Sequence, residues 1–125
     1  MQLTFRAWQG DRYLGLWDIL TALEDVVANL QWRVRIDEMA PEPGANRLEE
    51  IGHDAWLDTA ELLDVAANNV QVIDGQVSGY QSRDSASPHL TIRAVDSTWW
   101  DVESADEHVA EAVVDRLPDV EPMPQ

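Results

Sequence analysis

His53, His89 and His108 are the natural general bases and metal ligands of this chain, and they fall in three separate stretches with no His-x-x-x-His spacing. His108 and Glu111 stand one helical turn apart and have the chemistry to share a metal. A bound metal asks for three or four converging ligands, however, and an acidic helix surface yields such pairs by chance. Paired carboxylates are a second source of chemistry, because two acids in unlike environments divide acid and base roles. With 24 acids in 125 residues, pairing is unavoidable and says little. Asp96, Asp101 and Glu103 gather near one turn, while Asp106 and Glu107 open a helix, where the helix dipole alone accounts for acids. There is no Gly-x-Ser-x-Gly, no phosphate-cradling glycine loop, no Gly-x-Gly-x-x-Gly and no cysteine. These residues predict no catalytic site, no resident metal and no cofactor.

The six tryptophans carry more information. Trp32 alternates with Val34 and Ile36 and reads as core, and Trp17 flanks the apolar side of a helix. Trp99 and Trp100 are adjacent in a strand, so they point to opposite faces and only one enters a one-sided core. Trp8 falls on the polar side of the strand that buries Leu3, Phe5 and Ala7, and Trp56 precedes a helix start. Aromatic residues anchor interfaces. Trp8, Trp56, Trp99 and Trp100, with Asp96, Asp101 and Glu103, are therefore the predicted partner-binding set. Arg6, Arg33, Arg35 and Arg93 fall on the polar sides of their strands. Neighbouring strands would gather them into a band that binds an anion or, the reading preferred here, pairs with acids across the sheet.

The elements that must position these residues follow from periodicity. Residues 2–8 alternate as a half-buried strand. From residue 14 the period becomes helical through Leu16, Ile19, Leu20, Leu23, Val26, Val27 and Leu30, with Asn29 as terminator. Residues 31–37 alternate again, so strand, helix and strand fit a right-handed crossover if the two strands pair in parallel. Residues 41–44 form a proline-glycine loop, and 46–53 fit a short helix. Asp58 and Glu61 have capping-box spacing, and Leu57 and Leu62 staple spacing, so a helix runs from 59 to about 67 and stops at Asn68-Asn69. Asp74-Gly75 between residues 70–73 and 76–80 predicts a two-residue hairpin. A polar segment, 81–88, precedes a strand at 90–94, a turn at Asp96-Ser97 and a strand at 98–102. Ser104 and Glu107 repeat the capping-box spacing before a helix whose Val109, Ala112, Val113 and Leu117 form one stripe. The predicted fold is one α+β domain over residues 1–117, with a mixed, mostly antiparallel sheet of five or six strands and helices packed on one face. Residues 118–125 are predicted to be a loose acidic, proline-rich tail.

Twenty-four acids face eight basic residues, all arginine, for a formal charge of -16 on 14.1 kDa. That charge opposes direct contact with nucleic acid or an anionic membrane, and no stretch approaches the ~20 apolar residues that span a bilayer. The chain reads as soluble and cytoplasmic, without a signal peptide. Three readings account for the acids. A protein adapted to concentrated salt has its repulsion screened within ~3 Å at 1 M. A binder of a basic protein uses the field to steer association. A small enzyme or ligand-binding domain has a pocket lined by Trp and Arg. In general form the stretch 90–117, with Asp96-Ser97-Thr98-Trp99-Trp100-Asp101-Val102, resembles the small acidic bacterial immunity proteins over about a quarter of the chain, without a specific motif. The expectation is thus a non-enzymatic acidic protein that binds a basic macromolecular partner, as an immunity or inhibitor protein does.

Overall fold

The computed structural model describes residues 1–40, 45–67 and 71–122. The 41–44 loop, the stop at Asn68-Asn69, the first residue of the 70–73 strand and the last three residues of the tail lie outside the described residues. Seven strands form one antiparallel sheet in the order β5-β4-β6-β7-β8-β1-β9. They are β1 (Gln2–Arg6), β4 (Gln31–Met39), β5 (Leu57–Asp58), β6 (Val72–Tyr80), β7 (Leu90–Val95), β8 (Trp99–Ser104) and β9 (Glu121–Pro122). A separate hairpin joins β2 (Trp8–Gln9) to β3 (Arg12–Tyr13). Its Gly10 takes φ +67, the left-handed conformation open to glycine at the first position of a two-residue turn. The predicted strand therefore ends at Arg6.

Alternation in the sequence becomes layering across the sheet. Val34, Val77, Ile92, Val102 and Leu3 are consecutive cross-strand partners, and this buried row spans five strands. Beside it, Trp32 faces Gly79, which faces Leu90. A Cβ on Gly79 would lie 2.9 Å from Leu30 and 3.1 Å from the Trp32 ring, so glycine makes room for the indole. In the third row two small residues, Gly75 and Ala94, lie between Ile36 and the adjoining rings of Trp100 and Phe5.

Gly75 overturns the predicted hairpin. Residues 72–80 are one continuous strand, and a Cβ at Gly75 would stand 3.0 Å from the Arg35 carbonyl and 3.0 Å from Ile36. Close approach of β4, where the pairing register shifts between Ile36 and Met39, demands the glycine; no turn does. The predicted crossover is also revised. β1 and β4 run in the same direction but are separated by β6, β7 and β8.

Among the described residues five helices supply the second layer: α1 (Leu16–Ala22), α2 (Glu24–Val27), α3 (Ala45–Glu49), α4 (Thr59–Ala66) and α5 (Glu107–Arg116). The single long helix expected after residue 14 breaks at Leu23, whose φ of -104 and ψ of 10 leave the helical range. The Asp58–Glu61 capping box forms as predicted, with Glu61 N–H donating to Asp58 at 2.7 Å and Asp58 N–H to Glu61 at 3.1 Å. At α5 the predicted Ser104–Glu107 box gives way to Asp106, which caps the His108 N–H at 2.9 Å. Two indoles tie helices and loops to the sheet. Trp32 donates to Thr59 at 2.9 Å, and the Thr59 hydroxyl donates to the Val27 carbonyl at 2.6 Å. Trp100 donates to the Leu14 carbonyl at 2.7 Å. Beyond α5, Leu117 is buried and Glu121–Pro122 pairs with β1, so the expected tail is anchored through Pro122. This is an α+β protein, and its sheet keeps one face away from the core.

Candidate functional site

The residues best equipped for catalysis meet where β7, β8 and α5 join. His89 Nε2 lies 2.9 Å from Asp106 Oδ2, and Ser104 is nearby. The Asp106 carboxyl is held below its ordinary range, first by the hydrogen bond from the His108 N–H and then by His89. The Ser104 hydroxyl, however, donates to the His89 carbonyl at 2.7 Å and accepts the Asp106 N–H at 3.1 Å. A nucleophile must contact the imidazole that deprotonates it, and here the hydroxyl is committed to backbone. The cluster splices α5 to the sheet. His53 is exposed in the loop before β5 and the exposed His108 side chain is on α5, and no three His, Asp or Glu side chains converge as a metal set among the described residues.

The predicted partner-binding residues divide. Trp100 is only 2% exposed and belongs to the core, which removes it from the set. Its neighbour Trp99 takes the open face, with the Arg6 guanidinium 5.1 Å from its ring centroid. Asp101 and Glu103 share that face, opposite Arg93 and Thr91. Trp8 is 39% exposed and donates to the Ser97 carbonyl at 3.1 Å. Asp96 and Ser97 both adopt positive φ, +52 and +53, in the turn that Trp8 braces. Asp74 and the Ile73 carbonyl also bind this turn, through the Asp96 and Ser97 N–H groups. Trp8 and Asp74 thus hold in place a strained turn of which Asp96 is part. Trp56 sits elsewhere, beside Arg33 of β4, three strand spacings or ~14 Å from the strand of Trp99. The seven residues do not make one site.

The arginine band also departs from expectation. Of Arg6, Arg33, Arg35 and Arg93, only Arg35 forms an ion pair among the described residues, with Asp37 of its own strand at 3.6 Å. The register accounts for two of them, since Arg33 faces Ser78 and Arg6 faces Trp99, while Arg93 faces Asp101 without an ion pair between them among the described residues.

The helical side holds a surface that the sequence reading missed. Glu107, Glu111 and Asp115 follow one another at i, i+4 and i+8 along α5, flanking Val114, which is 51% exposed, and Met1, which is 66% exposed. The nearby cation, Arg116, is already bound to both oxygens of Asp25 and to the Ala22 carbonyl. The available signal was Val114 itself, an apolar residue outside the stripe of Val109, Ala112, Val113 and Leu117 within a line of acids. No helix among the described residues is long and apolar enough to cross a membrane. No protein family, curated protein or solved structure matches the chain.

Proposed function

We propose that the chain is a non-enzymatic cytoplasmic binding protein that docks a basic protein partner on the outer face of α5, in the manner of an inhibitor or immunity protein. The carboxylate line Glu107–Glu111–Asp115 beside exposed Val114 and Met1 carries the proposal. Like charges at i,i+4 destabilise a helix by roughly 0.2–0.5 kcal/mol per pair, so the line weakens α5 until a cation neutralises it. An apolar centre with a charged rim is how interfaces are organised. The formal charge of -16 supports the same reading by drawing a basic partner inward. Among the described residues only Asp18, Asp25, Asp37 and Asp64 pair with arginine, which leaves most carboxylates to that outward field.

Salt adaptation competes, because acids also occur on α1, α2, α3 and α4 and in several loops. A charge-matched comparison separates the two. A labelled lysine-rich amphipathic peptide is titrated against the wild type, against E107Q/E111Q/D115N, and against E24Q/E38Q/E49Q, which removes equal charge elsewhere. At ~0.15 M salt the screening length is about 8 Å, so only local charges act strongly. Docking on α5 weakens binding at least ~10-fold in the first variant and less than ~2-fold in the second. Equal losses would mean a diffuse field and defeat the proposal.

A further inference from the structure

The geometry points to a second site, on the opposite side of the molecule, in which Arg33 and Arg83 converge on the indole of Trp56 to bind a phosphate-type oxyanion. The Arg33 guanidinium lies 4.2 Å from the Trp56 ring centroid and that of Arg83 lies 5.9 Å away. Tyr80 braces the indole edge-on, with ring centroids 5.3 Å apart at 81°. The site is fixed to the sheet. Arg83 Nε donates to Gln31 Oε1 at 3.1 Å, and Gln31 precedes Arg33 by two residues on the same face of β4, with Tyr80 as its cross-strand partner.

Neither arginine forms an ion pair among the described residues, although the chain holds 24 acids. Arg33 Nε is buried and has no hydrogen-bond partner. A guanidinium carries five N–H donors, and among the described residues the bond from Arg83 to Gln31 is the one these two groups make, with Arg33 Nε shut off from water as well. Two cations beside one ring repel each other, and the ring attracts each only weakly. An anion between them resolves both the repulsion and the unmet donors.

Donor number selects the class of anion. A carboxylate offers two oxygens, which one planar fork saturates, whereas a tetrahedral phosphate offers enough terminal oxygens to engage both forks. The overall negative field disfavours a long polyanion such as nucleic acid, but a compact phosphate answers mainly to charges within a screening length of about 8 Å. The site does not depend on docking at α5, and its test does not touch that helix.

Arginine Nε–H resonances of the ¹⁵N-labelled chain are followed during titration with inorganic phosphate, phosphoserine and acetate at constant ionic strength. The expected result is saturable shifts at Arg33 and Arg83 with both phosphates. R83Q alters an exposed loop residue, so folding is retained, and it weakens binding at least ~10-fold. R93Q removes a remote unpaired arginine on the same face and changes affinity less than ~2-fold. Equal affinities for phosphate and phosphoserine mark free phosphate as the ligand, and tighter phosphoserine binding marks a phosphate ester; either upholds the site. Non-saturating shifts, equal weakening in R93Q, or acetate binding as tightly as phosphate would overturn it.

Discussion

Replacing Thr59 by valine tests whether one hydroxyl locks β4 to the helical layer. That hydroxyl accepts the Trp32 indole N–H at 2.9 Å and donates to the Val27 carbonyl at 2.6 Å. Trp32 is fully buried and Thr59 nearly so, which keeps water from replacing either bond. Valine matches threonine in shape and is also β-branched, so packing and helix propensity change little. The loss is then polar. Each buried group left without a partner costs about 1–3 kcal/mol, which gives about 2–6 kcal/mol for the indole and the carbonyl together. Against a domain stability of about 5–15 kcal/mol, that loss is large. Urea unfolding, followed by tryptophan emission and far-ultraviolet dichroism, reads it as a lower midpoint at unchanged slope. T59S keeps the hydroxyl and deletes one methyl, so it loses only about 1 kcal/mol. In the double variant W32F/T59V the losses are less than additive, because the two residues share one bond. T59V within about 0.5 kcal/mol of the wild type, or T59S as damaging as T59V, would refute this reasoning.

Two further predictions use the same unfolding assays. W100A removes a core indole that also serves the Leu14 carbonyl and lowers stability by about 3–5 kcal/mol, whereas W99A, on the open face, lowers it by less than about 1 kcal/mol; equal losses would contradict the assignment of the two faces. For Asp106 the sign follows from its lowered pKa, caused first by the His108 N–H and then by His89. A carboxylate whose folded pKa lies below its unfolded value contributes stability that is present above the unfolded value and lost as pH falls through the folded one. Asparagine keeps the helix cap but not the charge, so thermal melts of D106N should trail the wild type above pH 3.8, with the gap closing on further acidification. A gap that widened there would contradict the sign.

What was legible in the sequence was local. The Asp58–Glu61 box needs only atoms within one turn, and it forms as read. Alternation likewise found the buried sides of β1, β4 and β7, because period two fixes which side chains share a face whatever the strand order, whereas in β8 it showed that Trp99 and Trp100 part without saying which is buried. The misreadings were non-local. Asp74-Gly75 meets every local demand of a turn, yet the glycine answers to Arg35 and Ile36 of another strand. Ser104 has the spacing of a cap, but the His89 carbonyl claims its hydroxyl. Strand and helix between residues 2 and 37 were found, while three strands drawn from later in the chain fill the gap between β1 and β4. The Arg33–Trp56–Arg83 group is similar: its members come from β4, the segment before β5 and the loop after β6, and no spacing in the sequence links them.

The same topology divides the charge between the two sides of the molecule. On the open face, Arg6, Arg33, Arg35 and Arg93 stand among Asp37, Asp58, Asp74, Asp101, Glu103 and Glu121, so the arginines of this face offset most of its acids. The surplus of acids therefore belongs to the helices, edges and loops. An approaching cation feels an attraction concentrated toward the helical side, while an anion meets least opposition over the sheet, where Arg33 and Arg83 stand without carboxylate partners among the described residues. A uniform acidic coat evolved for solvation would have no reason to leave arginines unpaired on one face and to line up three acids along one helix on the other. That division of charge supports the proposal that this surface serves recognition, beyond solubility.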